Sequence, residues 1–256
     1  MLLKVKDLCC GYDGVPVVEN LNFEMNEGEL WCILGANGIG KSTLFKTLLG
    51  LLKPVSGQVL VQDKPLEKWS RKDLAKVTSY VPQSHTPPFP FKAFEIIVMG
   101  RHPYQNGIGA VREEDIRAVQ DALRLLDIEH LAEKNYTQIS GGERQMVLMA
   151  RAIVQGSSLM ILDEPVSNLD FGNHAKVISY IRKLVSMGKT VVMTTHHPDH
   201  AFIPESRVLI MENRSRMRVG IGTDIVTEEC VHEMYGVDNK ILLDVQDNRQ
   251  TCIPLY

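Results

Sequence analysis

The first thirty residues, with LLKVKDLCCGYDGVPVVENLNFEMNEGEL at their heart, alternate apolar and polar positions between Gly, Asp and Asn turn signals. That alternation predicts antiparallel strands. The next run, LWCIL from Leu30 to Leu34, is apolar without a break, as a strand buried on both faces is. A Gly-rich loop and the helical stretch STLFKTLLGLL follow, and strand pattern returns at GQVLVQ and KVTSYVP. From about Phe94 to Gln155 the apolar spacing changes to three and four. VREEDIRAVQDALRLLDI, with acids at its start, and GGERQMVLMARAIVQG both predict helices. LMILD and TVVMTT then read as strands, with the helix HAKVISYIRKLVSM between them. Strand–helix–strand alternation implies a parallel sheet. The expected fold class is therefore α/β, a nucleotide-type core with a helical insert and an antiparallel piece at the front. The Pro-rich PQSHTPPFPF, residues 82 to 91, marks the boundary between core and insert. There are no internal repeats and no low-complexity segments.

Composition narrows this picture without redirecting it. The chain has 256 residues, 44% hydrophobic and 23% charged, which suits one large domain or two tightly joined subdomains. A chain of that size buries a sizeable core without disulfides or structural metal. A net charge of −3 provides no strong basic field to hold nucleic acid. The five cysteines (Cys9, Cys10, Cys32, Cys230 and Cys252) show no CxxC pairing and no zinc-ligand rhythm, and fit reduced thiols in a cytoplasmic setting. The start MLLKVKDLCCGYDG meets charge at once, so no signal peptide is expected. Nowhere do about 18 apolar residues run together, so the chain is not expected to span a membrane by itself.

The Gly-rich loop carries chemistry. Gly35, Ala36, Asn37, Gly38, Ile39, Gly40, Lys41, Ser42 and Thr43 fit the phosphate-loop pattern G-x-x-x-x-G-K-[ST]. Glycines let backbone N–H groups approach phosphate oxygens, and the following helix aims its positive end at the same anion. Lys41 can reach the β- and γ-phosphates and Ser42 can ligate Mg²⁺. LMILDEP is an apolar strand ending in two acids. After a phosphate loop, Asp163 is the candidate to hold Mg²⁺ through water, and Glu164 to orient or deprotonate the attacking water. Hydrolysis is then favoured over phosphoryl transfer to a second substrate. In ISGGERQ, Ser140, Gly141, Gly142 and Glu143 head a helix. They make a second anion-binding start, a capping box of Ser140 with Glu143, or both. One phosphate loop suffices for one ATP, so a second anion site calls for a second phosphate or a second subunit.

GANGIGKST, ISGGE, LMILDEP, SNLD and TTHH stand in the order found in ATP-binding-cassette ATPases, and the resemblance covers nearly the whole chain. It implies a P-loop NTPase (RecA-like) core with an antiparallel β subdomain, spanning 1–93 and 156–256, and a helical signature subdomain spanning 94–155. It implies two cassettes packed head to tail, the SGG of one closing on ATP held by the other. It places Tyr12 as the aromatic stacking on adenine and Gln83 as the glutamine touching Mg²⁺ and the attacking water. Glu164 becomes the catalytic glutamate, Asp170 the aspartate acting across the dimer, and His196 the histidine contacting the γ-phosphate. Mg²⁺ would be held by Ser42, Gln83 and Asp163. The chain departs from the family pattern in reading ISGGE for LSGGQ and SNLD for SALD, and both departures keep the residues the chemistry uses.

A single cassette with no membrane segment and no heptad insertion resembles the engine of a membrane transporter. It differs from chromosome-maintenance relatives with coiled coils and from translation-associated relatives with two cassettes in one chain. PFKAFEIIVMGRHPY and EMYGV resemble segments of importer cassettes for iron–siderophore, haem, cobalamin and molybdate or tungstate. The expected function is thus the ATPase of an importer for a metal chelate or metal oxyanion, at the cytoplasmic face of the cell membrane. The expected partners are a homodimeric second cassette, an integral membrane permease and an extracytoplasmic substrate-binding protein, with no nucleic acid. Phe89, Phe91 and Phe94 are expected to line the groove that takes the membrane subunit's helix. The rivals are a soluble non-transport cassette and a P-loop kinase, which leaves ISGGE unexplained. In TTHHPDH, Pro198 suits a helix start, where His197, Asp199 and His200 belong and Asp199 favours the positive end of the dipole. Adjacent residues on such a turn are expected to diverge rather than converge on a metal, leaving only His196 functional. His85, His102, His130, His174 and His232 have no ligand spacing among themselves. From about Ile225 the tail reads as a small strand–helix appendage.

Overall fold

The computed structural model describes residues 1–83, 89–105, 111–167, 169–244, 246 and 249–255. Residues 84–88 of the Pro-rich stretch, with His85, and Asn168 of SNLD lie outside the described residues. The chain forms two compact units, Met1–Trp69 with Thr190–Tyr256, and Ser70–Lys189. The segment 94–155, expected as the helical part, falls wholly within the second.

The first unit opens with β1 (Leu3–Tyr12) and β2 (Val15–Met25), antiparallel partners turned at Asp13 and Gly14, whose φ angles are 52° and 79°. After β3 (Leu30–Gly35) and α1 (Lys41–Leu48) come β4 (Ser56–Val61) and the two-residue β5 (Lys64–Pro65). These complete a four-stranded antiparallel sheet in the order β2-β1-β4-β5. The alternation seen in the sequence sends Leu3, Val5, Leu21, Phe23, Val59 and Val61 inward. Each such side chain, fully buried, contributes about 1.5–3 kcal/mol.

The second unit begins with α2 (Arg71–Val77), which runs into β6 (Thr78–Val81). The strand expected at KVTSYVP thus starts two residues late, because Lys76 and Val77 finish a helix. The physical reason is its cap: the Ser70 hydroxyl accepts from Asp73 N at 3.0 Å and nucleates the turn. Next come α3 (Ala93–Val98), α4 (Glu113–Leu125), α5 (Gly141–Val154), β7 (Leu159–Leu162) and α6 (Phe171–Ser186). β6 and β7 pair in parallel, Tyr80 opposite Ile161 and Val81 opposite Leu162. Val119, Ala122 and Leu123 of α4 and Val147, Leu148 and Met149 of α5 are buried, as their spacing requires.

The importer-like MGRHPY is a 3-10 turn, Met99–Tyr104, and a fastener rather than a free helix. A Cβ on Gly100 would lie 2.2 Å from the Arg151 carbonyl oxygen. Arg101 donates from Nε to the buried Asp115 carboxylate at 2.8 Å and from Nη1 to Val154 O at 3.0 Å, and the Tyr104 hydroxyl donates to Gln155 O at 2.9 Å. The turn therefore ties the start of α4 to the end of α5.

The chain then returns to the first unit with β8 (Thr190–Thr195), β9 (Ser206–Met211) and β10 (Met217–Ile221). β8 and β9 flank β3 in parallel, with Cys32 opposite Met193 and Val208, and β10 runs antiparallel to β9. Every residue of β3 and β8 is buried, and β3 accordingly reads as an unbroken apolar run from Leu30 to Leu34. The pattern reading assigns no element to 206–221. The tail holds α7 (Gly222–Ile225), α8 (Glu228–Tyr235) and the hairpin β11 (Asn239–Asp244) with β12 (Arg249–Pro254), so helices precede strands there. Among the described residues no helix is long and apolar enough to cross a membrane.

Candidate functional site

β3 delivers the chain to Gly35 at a buried strand end, and residues 36–40 turn it into α1. Gly40 is needed twice over. Its φ is 112°, and a Cβ there would sit 2.4 Å from Val18 Cγ2. As N-cap it carries no side chain, so no side-chain bond caps the first turn of α1. A helix start without a side-chain cap suits an anion bound through backbone N–H groups. The Lys41 side chain is buried, and its Nζ donates to Gly35 O at 2.6 Å and Ala36 O at 3.1 Å. The ammonium thus lies against the loop. Asn37, Gly38 and Ser42 are exposed, Ala36 and Ile39 half-buried, and Thr43 buried.

Tyr12 ends β1 with its ring 44% exposed, a surface open to a stacking partner. Its hydroxyl accepts from Lys46 Nζ at 3.3 Å, and hydrogen bonds with Thr43 and Lys46 hold the phenol pKa below its ordinary value.

His196 follows β8 directly, half-buried. The expectation that the neighbouring histidines diverge is wrong. The His196 and His197 rings lie 4.3 Å apart between centroids, tilted by 35°, and His197 lies 5.3 Å from His200, tilted by 59°. His200 is buried, with Nδ1 2.6 Å from Thr195 Oγ1. Pro198 does begin a helical turn, a short 3-10 one over Pro198–Phe202. Asp199 has a job the dipole argument misses: its Oδ1 accepts from Thr251 Oγ1 at 3.1 Å and Cys252 N at 2.7 Å, clasping β12. Among the described residues no group of three or more His, Cys, Asp and Glu is placed to hold a metal ion.

In the second unit, Asp163 prolongs β7, its N–H donating to Val81 O at 2.9 Å. Its carboxylate is buried at the strand end and accepts from the Tyr80 hydroxyl at 3.3 Å. Burial and then the Asp163 charge push the Tyr80 phenol pKa up, so that it stays a donor. Glu164 sits in the left-handed region at φ 46°, an uncommon place for a residue with a Cβ. Ser167 N and Oγ both donate to its carbonyl, at 3.1 and 2.9 Å, and hold that turn. Gln83 Nε2 donates to Glu164 Oε2 at 3.0 Å, so two residues 81 positions apart meet.

Ser140 and Glu143 form a reciprocal capping box at the head of α5: Glu143 N donates to Ser140 Oγ at 3.2 Å, and Ser140 N to Glu143 Oε2 at 2.8 Å. The backbone bond from Ser140 holds the Glu143 carboxyl below its ordinary pKa. Asp170 caps α6 with a one-way bond, its carboxylate accepting from Asn173 N at 2.9 Å. Two contributors escape the sequence reading, Tyr80 and Asn173. Tyr80 directly precedes Val81, Pro82 and Gln83, but nothing in its spacing says which face of β6 it takes. Asn173 donates from Nδ2 to Asp170 Oδ2 at 2.6 Å, and a Cβ on Gly142 would lie 2.9 Å from that same nitrogen. Only the packed helices reveal that meeting.

A family model for ABC transporters matches residues 18–167. The haemin import ATP-binding protein HmuV of Hahella chejuensis is 37% identical over 88% of this chain and 89% of its own length. The iron(3+)-hydroxamate import ATP-binding protein FhuC of Bacillus subtilis is 30% identical over 98% and 94%. Among solved structures, a chain from an ABC transporter provisionally assigned to the metal-chelate type, in an inward-facing conformation, superposes with a TM-score of 0.87 at 31% identity, covering 100% of this chain and 98% of that one. The uncapped phosphate loop, the buried aspartate with its neighbouring glutamate, and these likenesses lead to one conclusion: the chain belongs to the ATP-binding subunits of ABC transporters, ATPases that bind and hydrolyse ATP to drive transport.

Proposed function

We propose that this ATPase drives an importer of a metal chelate or metal oxyanion, docked on a separate integral membrane subunit at the cytoplasmic face of the membrane. An extracytoplasmic binding protein would deliver the cargo, and nucleic acid has no part. The observation that carries the cargo class is likeness, along nearly the whole chain, to cassettes named for haemin and iron-hydroxamate import. The docking surface is supported by Phe89, 64% exposed, whose ring meets that of Phe91 edge-on at 6.0 Å, with Phe94 half-buried.

The catalytic roles join the chemistry of the phosphate loop and strand-end acids to what the family resemblance implies. Lys41 and the N–H groups of residues 36–43 take the β- and γ-phosphates. The oxygen donors of Ser42, Gln83 and Asp163 suit Mg²⁺, a hard cation. Gln83 spends its Nε2 on Glu164, so Oε1 is the atom it offers. When bound, Mg²⁺ supplies neutralisation of phosphate charge. Glu164 takes a proton from water as the water oxygen attacks the γ-phosphorus and the bond to the β-phosphate oxygen breaks, giving ADP and phosphate. His196 orients the γ-phosphate and Tyr12 stacks on the adenine. A second copy supplies Ser140–Gly142 to the same ATP, with Asp170 acting across the pair, so the working form is a homodimer.

The test is reconstitution with the membrane subunit in vesicles, with ferric hydroxamate, haem, cobalamin and molybdate offered in turn. ATP-dependent uptake of one of them is expected, and replacing Phe89 and Phe91 by Ser should abolish uptake while ATP binding persists. Loss of ATP binding in that variant, or no uptake of any of the four, counts against the reading.

A further inference from the structure

The starts of α5 and α6 meet through one side chain. Asn173 lies flat against Gly142: a Cβ added there would come within 2.9 Å of Asn173 Nδ2 and 3.3 Å of its Cγ. The same amide nitrogen donates to Asp170 Oδ2 at 2.6 Å, while Asn173 N donates to Asp170 Oδ1 at 2.9 Å. An N-cap needs only the backbone bond. The side-chain bond is additional, and it fixes both carboxylate oxygens of a residue at the surface. One residue along, Phe171 is 92% exposed, the most exposed of the large hydrophobic side chains among the described residues. A bare aromatic ring beside a carboxylate held by two bonds and a glycine with no room for a methyl group makes a surface organised to be covered.

We propose that Asn173 is a positioning residue that locks the Ser140–Gly142 helix start and Asp170 into one rigid face for a second copy of this chain, with Phe171 as the apolar anchor beside it. The inference rests on the paired-cassette reading above and names the residue that prepares this chain for pairing. Because the face is set before the copies meet, closure does not have to order it, and affinity for the second copy rises accordingly. Asn173 itself touches neither ATP nor the attacking water.

The experiment uses the Glu164→Gln chain, which holds ATP uncleaved. Sedimentation velocity gives the ATP concentration at which half the protein is dimeric, and binding of a fluorescent ATP analogue to dilute monomer gives the affinity of a single copy. Asn173→Ala should raise the dimerisation midpoint about tenfold, the scale of one hydrogen bond to a charged group, and leave monomer affinity unchanged. Asn173→Asp keeps the shape against Gly142 but sets a second carboxylate against Asp170. Its midpoint should rise further at pH 7.5 and recover towards that of the alanine variant only as pH falls into the carboxylate range, about 4, which a purely structural role does not predict. Phe171→Ser should also weaken pairing at unchanged monomer affinity. Equal midpoints for Asn173→Ala and its parent overturn the inference. Failure of the Glu164→Gln parent to dimerise at any ATP concentration sinks the paired-cassette reading instead.

Discussion

Two helix starts in this chain have the sequence look of anion sites, and they are built in opposite ways. α1 begins at Gly40 with no side-chain cap, and the backbone it needs forbids any other residue: φ is 112° and Val18 stands 2.4 Å from the position of a Cβ. α5 begins at Ser140 with both members of a capping box in place, and a Cβ on Gly141 would meet nothing within 4 Å. The first start is left uncapped for a ligand and held open by the fold. The second is satisfied by its own side chains, and among the described residues nothing stands where a Cβ at 141 would go. A glycine that its own fold does not need points to something that arrives from outside.

The comparison breaks most readily at turnover. Glu164→Gln should lower hydrolysis about 10²–10⁴-fold, the range of general-base contributions, while ATP binding at α1 survives. A phosphate-release assay and equilibrium nucleotide binding decide it, and hydrolysis near the parent rate would remove Glu164 from the role of base. Next in size is Lys41→Ala. Removing hydrogen bonds from a cation to phosphate should weaken ATP binding about 10–100-fold, with no corresponding change from Ser140→Ala in the isolated monomer. If Ser140→Ala weakened monomer binding as much, the two starts would serve one ATP in one chain and the contrast would collapse.

Most of the fold was legible because periodicity reports burial. LWCIL and TVVMTT read as buried strands, and both are buried at every described position. VREEDIRAVQDALRLLDI read as an amphipathic helix and contains α4. What escaped was decided by tertiary partners. Lys76 and Val77 have β-compatible neighbours, yet the Ser70 cap carries the helix through them. Asp199 looks like a dipole residue until the C-terminal hairpin, some 50 positions later in the chain, comes back to it. At the site, residues set by a local motif were readable, from Gly35 to Thr43. Tyr80 and Asn173 were not, because their roles exist only where one strand or helix passes another.

The glycines give the sharpest version of the contrast. Gly40→Ala combines a left-handed residue with a clash against Val18, and should cost about 2–5 kcal/mol of stability. Gly141→Ala has an ordinary φ and open space, so its thermal midpoint should hold or rise, alanine gaining up to about 1 kcal/mol in a helix. Its steady-state ATPase rate should nonetheless fall tenfold or more, because a methyl group now projects where the second copy's ATP would sit. Scanning calorimetry and turnover on the same preparations separate the two, and a Gly141→Ala enzyme with full activity would end the argument from the unneeded glycine.

The smallest effect expected is in the acid range. Ser140's backbone bond holds the Glu143 carboxyl below its ordinary pKa, with Lys134 and His130 adding at 3.9 and 4.0 Å. A carboxyl depressed in the folded state contributes stability that is present above its unfolded pKa, about 4.3, and is lost as pH falls through the lower folded value. Glu143→Gln keeps an acceptor for Ser140 N but removes the titration. The parent should therefore lose stability more steeply than the variant below about pH 4.3, and the difference between them should be flat above it. Urea denaturation midpoints from pH 6 to pH 3 measure this directly. Asp115 and Asp170, also depressed by their hydrogen bonds, titrate in both proteins and cancel in the difference. A flat difference across the whole range would mean that the Glu143 carboxylate is no better stabilised in the folded chain than in the unfolded one, and that the box is held by shape alone.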